Sequence, residues 1–294
     1  MTFNRNSKLD SSKVSKRGRN VAIGGGSAVL VIGVLLISQL TGIDLSGLVG
    51  GGGVGGGSGT QTEEALDCQT GADANASTEC LMVGAANSLD AYWPEQAAAV
   101  GATYRSPADF VLFEQSTNTG CGQASSATGP FYCPADETIY VDTSFFDQLR
   151  TQFGASGGTL SQMYVVAHEW GHHIQQLTGV LGSIDHSDTG PSSDSVRTEL
   201  QADCYAGAWT GAASTIEDVD GTTFLEPVTS EQIADALNAA SVIGDDRIQE
   251  QSTGQVDPES WTHGSSESRQ KWFETGLQGG PASCDTFGVD ASQL

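Results

Sequence analysis

His168-Glu169-Trp170-Gly171-His172 sets two imidazoles four residues apart with a carboxylate between them. On a helix that spacing places both rings on one face, one turn apart, where they converge on a point. Two imidazoles aimed at one point suit a tetrahedral zinc ion. Glu169, one position on, is then placed to take a proton from a zinc-bound water. The apolar run at 163–167 reads as a buried helix, which would hold the histidines on rigid backbone. The competing reading is a helix whose histidines are simply satisfied in the core. The chain has only 5 histidines, and three of them lie between 168 and 173. Burying that many imidazoles beside a carboxylate is costly unless they bind something. His173 lies about 100° round the helix from His172 and is left out of the metal shell.

A catalytic zinc site needs a third protein ligand and keeps a fourth position open. The stretch RTELQADCYAGAW (197–209) supplies Glu199 and Asp203, again four apart on an expected helix. Glu199 is the expected third ligand. Asp203 is expected to accept a hydrogen bond from the far nitrogen of a ligating histidine and so fix its tautomer. The polar, glycine-rich residues 179–191 allow the second helix to fold back on the first. A solvated acidic face is the alternative for this pair, weakened by its small or apolar flanks.

HEWGHHIQ followed by ELQADCYAG resembles the bacterial neutral zinc metallopeptidase family, related to the gluzincins. Cys121-Gly122, GPFYCPADETIYVD (129–142) and HGSSESRQKWFETG (263–276) are similar to that family's other blocks, in order from about Cys68 to Phe287. The resemblance implies an α+β, zincin-like domain with a small sheet and an active-site helix. It also implies one zinc ion per chain and a peptide or protein substrate. His263 matches a block histidine, and the resemblance gives it a role in stabilising the oxyanion; an incidental loop histidine is the alternative. Zincins carry a strand beside the first metal helix along which an extended peptide adds. Residues 138–146 are the candidate, with an ordinary core strand as an equal reading. His186, in an acidic serine-rich loop, reads as solvated.

The 294 residues carry a formal net charge of −24, unevenly spread. Residues 1–20 hold six of the 12 Lys and Arg but one of the 36 Asp and Glu. The acidic remainder argues against a nucleic-acid partner, since like charges repel. Residues 21–40 have no charge over a length sufficient to cross a bilayer. With basic residues ahead of them, they predict a single-pass anchor, a cytoplasmic N-terminus and an extracytoplasmic domain at the cell membrane. A cleaved signal peptide is the rival. The expected layout is thus a disordered basic tail (1–20), a transmembrane segment contacting the lipid bilayer (21–40), a glycine-rich tether (41–65) and one metallopeptidase domain (66–294). All 6 cysteines follow residue 67. Disulfides are expected, and 15 connectivities are open. The favoured set is Cys68–Cys80, Cys121–Cys133 and Cys204–Cys284. Cys204 is a weak rival ligand, about 140° round the helix from Glu199.

In chain order, residues 81–100 read as a helix interrupted at Trp93-Pro94, 109–114 as a strand, and 121–133 as a loop. Residues 159–178 are the first metal helix and 194–213 the second. Thr229-Ser230-Glu231-Gln232 is a capping-box pattern opening a third helix that ends near Gly244, and 266–277 read as a fourth. The expected function is a zinc peptidase, with water activated by Glu169 attacking the peptide bond. A zinc hydrolase of another bond and a non-catalytic zinc-stabilised surface protein are the rivals.

Overall fold

Five strands form the sheet against which the helices of the site lie. The computed structural model describes residues 2–18 and 63–294. Its strands are β1 (Ser15–Arg17), β2 (Glu63–Glu64), β3 (Asp109–Phe113), β4 (Ser116–Thr119), β5 (Gly122–Ser125), β6 (Phe131–Cys133) and β7 (Thr138–Asp142). Its α-helices are α1 (Gly71–Ala74), α2 (Thr78–Gln96), α3 (Phe145–Thr151), α4 (Thr159–Thr178), α5 (Asp194–Ala212), α6 (Ser230–Val242), α7 (Asp245–Thr253) and α8 (Ser266–Gly279). The main sheet runs β2-β1-β3-β7-β6, with β4 and β5 in a separate hairpin. β1, β3 and β7 are parallel; β2 and β6 close the two edges antiparallel. The fold is α+β.

The alternation of a strand divides its side chains between two clusters. Phe110, Leu112, Ile139 and Val141 face the main core shared with the helices. Val111, Phe113 and Tyr140 face a smaller cluster with Ala124 and Cys133. With both faces covered, all five residues of β7 are buried.

α4 spans the residues its pattern predicts. It is buried on nearly every side, and Gly179 at φ +82° closes its C-terminus in the left-handed conformation. In α5 the Ser193 hydroxyl caps the start by accepting from the Val196 N–H at 3.2 Å. Thr229 and Gln232 form the predicted capping box of α6.

Three glycines let the helices of the site touch backbone to backbone. A Cβ at Gly171 of α4 would lie 2.9 Å from the Ala202 Cα of α5. One at Gly207 would lie 1.9 Å from the Phe273 carbonyl oxygen, and one at Gly276 1.8 Å from that of Cys204. A side chain has no room at these crossings, so α4, α5 and α8 meet at a spacing only glycine permits.

The sequence expectations need four corrections. α2 runs unbroken through Pro94, which lies close enough to the helix end to remove a single ladder bond; the Ala97 N–H bonds the Trp93 carbonyl just beyond it. Residues 121–133 are not a plain loop but contain β5 and β6. The strand expected over 138–146 stops at Asp142, and Phe145 and Phe146 begin α3. Most consequentially, residues 2–18 of the basic tail are ordered. β1 sits inside the sheet, and Phe3 and Val14 are buried in the main core. The disulfides join Cys68 to Cys80, Cys121 to Cys133 and Cys204 to Cys284, the favoured set. The expected membrane segment, residues 21–40, lies outside the described residues. Among the described residues no helix is long and apolar enough to cross a membrane.

Candidate metal centre

α4 presents His168 and His172, and α5 presents Glu199. Donor atoms of these three residues all lie within 4.8 Å of one another. Glu199 Oε2 is 3.1 Å from His168 Nε2, and Oε1 is 3.5 Å from His172 Nε2. The outer nitrogens fix which atoms face inward. His168 Nδ1 lies 2.8 Å from the Asp203 carboxylate, an acceptor only, so Nδ1 carries the proton. His172 Nδ1 donates in the same way to Gln175 Oε1 at 2.8 Å. Both Nε2 atoms therefore turn toward the Glu199 carboxylate. Gln175 is oriented in turn: its amide donates to the Thr198 carbonyl at 2.7 Å and to Gln201 Oε1 at 3.1 Å.

Burial opposes an imidazolium at His168, but the Asp203 and Glu199 carboxylates outweigh it and raise the group to about 10. Burial would likewise raise Glu199, yet His172, His168 and His263 hold it well below the usual carboxylate range. The cluster favours positive charge at its centre. Two imidazole nitrogens and one carboxylate, converging and leaving a position open, fit a catalytic zinc ion.

Asp203 is completely buried, and three groups hold it. Arg269 of α8 donates from Nε to Oδ2 at 2.8 Å and from Nη2 to Oδ1 at 3.1 Å. The Tyr164 hydroxyl donates to Oδ1, the atom that His168 also meets. Burial raises the Asp203 pKa, but Arg269 and His168 more than offset it and the carboxyl sits below its ordinary value.

Glu169 is 6 % exposed and is not part of the donor cluster. Burial raises its pKa, while the charges of His168 and His172 and the Tyr132 main chain pull the other way. Tyr132 belongs to β6, so an edge strand lies beside the carboxylate. His173 stays out of the centre. Its Nε2 donates to the Arg105 carbonyl at 2.8 Å, leaving Nδ1 to accept from the Tyr132 hydroxyl at 3.1 Å. His186 is exposed, and its Nε2 donates to the Leu181 carbonyl at 2.9 Å.

His263 stands in the loop before α8, with its side chain 42 % exposed. Asp245, at the start of α7, fastens that loop. Its Oδ2 accepts from the backbone N–H groups of Thr262, His263 and Gly264 at 2.8, 2.6 and 3.0 Å, and its Oδ1 lies 3.2 Å from His263 Nδ1. Burial opposes a charged His263, but the hydrogen bond to Asp245 and the charges of Glu199 and Asp245 raise it above its ordinary value. Burial alone would raise Asp245, but His263 and the loop N–H groups bring it below the ordinary carboxylate value. A depressed folded-state pKa stabilises above the unfolded pKa of about 4, and that stability is lost as pH falls through the folded value. Asp245→Asn should therefore flatten the decline of thermal midpoint with acidification below about pH 4. An unchanged acid limb in a pH series of melts would show that the loop is fastened by other groups.

The sequence pattern of a family described as "Putative neutral zinc metallopeptidase" matches residues 3–287. The chain belongs to this family. Among its relatives is the uncharacterized protein Rv2575 of Mycobacterium tuberculosis, 53% identical over 222 residues, covering 75% of this chain and 74% of the relative. The uncharacterized protein YpfJ of Escherichia coli K12 is 39% identical over 277 residues, covering 92% of this chain and 90% of the relative. No solved structure matches the chain.

Four residues of this candidate site escaped the sequence reading. Gln175 follows His172 by three positions on α4, and that spacing could have flagged it. Arg269 lies on the helical stripe with Trp272, Phe273 and Gly276, all buried. A basic residue on an apolar stripe is the mark of a buried pair. Tyr164 precedes His168 by four on the same helix face. Asp245 carries no signal, because its partners are backbone groups of a distant loop.

Proposed function

We propose that the chain hydrolyses peptide bonds at this centre, with His168, His172 and Glu199 as the ligands of one zinc ion. The observation that carries the reading is the convergence of three donor groups beside a buried carboxylate, Glu169, that is not one of them. A structural zinc site is closed by four protein ligands, whereas three with an open position belong to a catalytic one. When bound, the ion supplies Lewis acidity toward the scissile carbonyl and acidifies water.

Glu169 takes the proton of the attacking water and passes it to the leaving amine. Its burial and raised pKa suit both halves of that transfer. Asp203 holds His168 in the tautomer that turns Nε2 inward, and Gln175 does the same for His172. His263 donates to the oxygen that gains negative charge. β7 is too enclosed to receive a substrate, with β3 and β6 on its two sides. β6, outermost on that side of the sheet and next to Glu169, is the strand along which an extended peptide pairs. Residues 21–40 hold the enzyme at a membrane.

The test is zinc content by elemental analysis of the full chain, alongside cleavage of a peptide library. One zinc per chain with cleavage is expected. Glu199→Ala should weaken zinc by more than the roughly 10–100-fold typical of losing an outer-shell partner. Zinc bound without cleavage of any peptide would favour hydrolysis of another bond. No zinc in the folded protein would end the metal reading.

A further inference from the structure

The basic N-terminal segment is built into the catalytic domain along its whole described length. β1 lies between β2 and β3, pairing Ser15 with Val111 and Lys16 with Leu112 on one side, and Arg17 with Glu63 on the other. Phe3 is 1 % exposed and occupies a seat made for it. A Cβ at Gly84 would lie 2.5 Å from the Phe3 ring, and one at Gly71 2.0 Å from the Asn4 carbonyl oxygen. Asn75 reads the Phe3 backbone with both ends of its amide, accepting from the N–H at 2.9 Å and donating to the carbonyl at 2.8 Å. The Asn4 N–H donates to the Phe224 carbonyl, and Asn87 bonds both the N–H and the carbonyl of Asp10.

The positive charges are used as well. Lys8 pairs with Asp220, Lys13 with Asp90, and Lys16 with Glu64 and Glu79. Arg17 donates to the Asn118 carbonyl at 2.9 Å and lies over the Tyr140 ring. Read from the sequence, these residues are a signal that keeps the N-terminus in the cytoplasm. In the fold they are the complement of an acidic domain.

Docking and single-pass topology exclude one another. If residues 21–40 crossed a membrane once, Arg17 and the domain would lie on opposite sides. Yet Arg17 and Glu63, the flanks of the intervening stretch, are neighbours in one antiparallel ladder. We propose that residues 2–17 are a permanent intramolecular segment of the domain, so that the N-terminus and the metal centre share one side of any membrane the chain enters. This placement holds whether or not the centre cleaves peptides. Without β1, β3 would be left as a bare sheet edge and the Phe3 seat would be open to water.

Two measurements on the full-length chain test it. Zero-length carbodiimide coupling of a mixture of isotope-labelled and unlabelled protein should join Lys8 to Asp220 within single chains. Joining only between chains, or none, would overturn the intramolecular seat. In cells, single cysteines introduced by Ser12→Cys and Ser252→Cys, both at exposed positions, should react alike with a membrane-impermeant maleimide. Reaction of one before permeabilisation and the other only after it would overturn the shared side. Phe3→Ala should lower the thermal midpoint by roughly 10 °C, and no change would show that the seat is not occupied.

Discussion

Glu169→Gln is expected to lower peptide hydrolysis by about 10²–10⁴-fold while zinc content and thermal midpoint stay at wild-type values. The substitution keeps the size of the side chain and removes only its capacity to take up a proton. Glu169 is outside the donor cluster, so its loss does not touch the ligand set. It is buried with a raised pKa, so a neutral amide of the same size costs less to bury there than an ionised carboxylate. The effect should thus fall on kcat, with KM little changed, because the proton is transferred only in the transition state. Wild-type turnover in the variant would assign the base to another group. Loss of zinc together with activity would instead make Glu169 a ligand.

What could be read in the sequence was local. α4 had an apolar run and a terminal glycine, α5 a serine at its start, and α6 a capping box. These settle a helix without reference to the rest of the chain. The metal cluster was legible for the same reason, since His168 and His172 are an i,i+4 pair on one helix, and Glu199 and Asp203 are another on the next. The contacts between helices were not. Gly171, Gly207 and Gly276 look like helix-weakening residues in isolation, and only the crossing helices show that a side chain would collide there.

The N-terminal segment failed for a different reason. β1 has three residues, too few for an alternation to register, and its partner β3 lies more than ninety residues on. A cluster of Lys and Arg ahead of an uncharged stretch has one familiar meaning, and nothing local separates topology from docking. The strand over 138–142, weighed equally as a substrate strand and a core strand, is an interior strand with β3 and β6 on its two sides. β6 is only three residues long, whereas β7 is apolar enough to be seen. An interior strand is the more conspicuous in sequence because both its faces are covered.

Arg269→Met is expected to destabilise the fold by about 3–5 kcal/mol and to weaken zinc by roughly 10–100-fold. Arg269 is 2 % exposed and Asp203 fully buried, so water cannot replace the guanidinium once it is gone. The methionine fills the stem's space but leaves the carboxylate uncompensated. Asp203 would then ionise less readily, and His168 would lose the partner that fixes its tautomer. Urea unfolding, with and without chelator, separates the two effects. A cost under about 1 kcal/mol would show that the pair is solvated in a way its burial denies. The double variant Arg269→Met with Asp203→Asn tells charge from contact. In Asp203→Asn the side-chain carbonyl can still accept from His168 and Tyr164, and no charge is left unpaired. If the cost comes from the stranded carboxylate, the double variant recovers stability over Arg269→Met alone, because removing both charges of a buried pair is often nearly neutral. If it recovers nothing, the guanidinium matters through its bonds to Tyr164 and the Ile243 carbonyl, and α8 is held by those contacts instead.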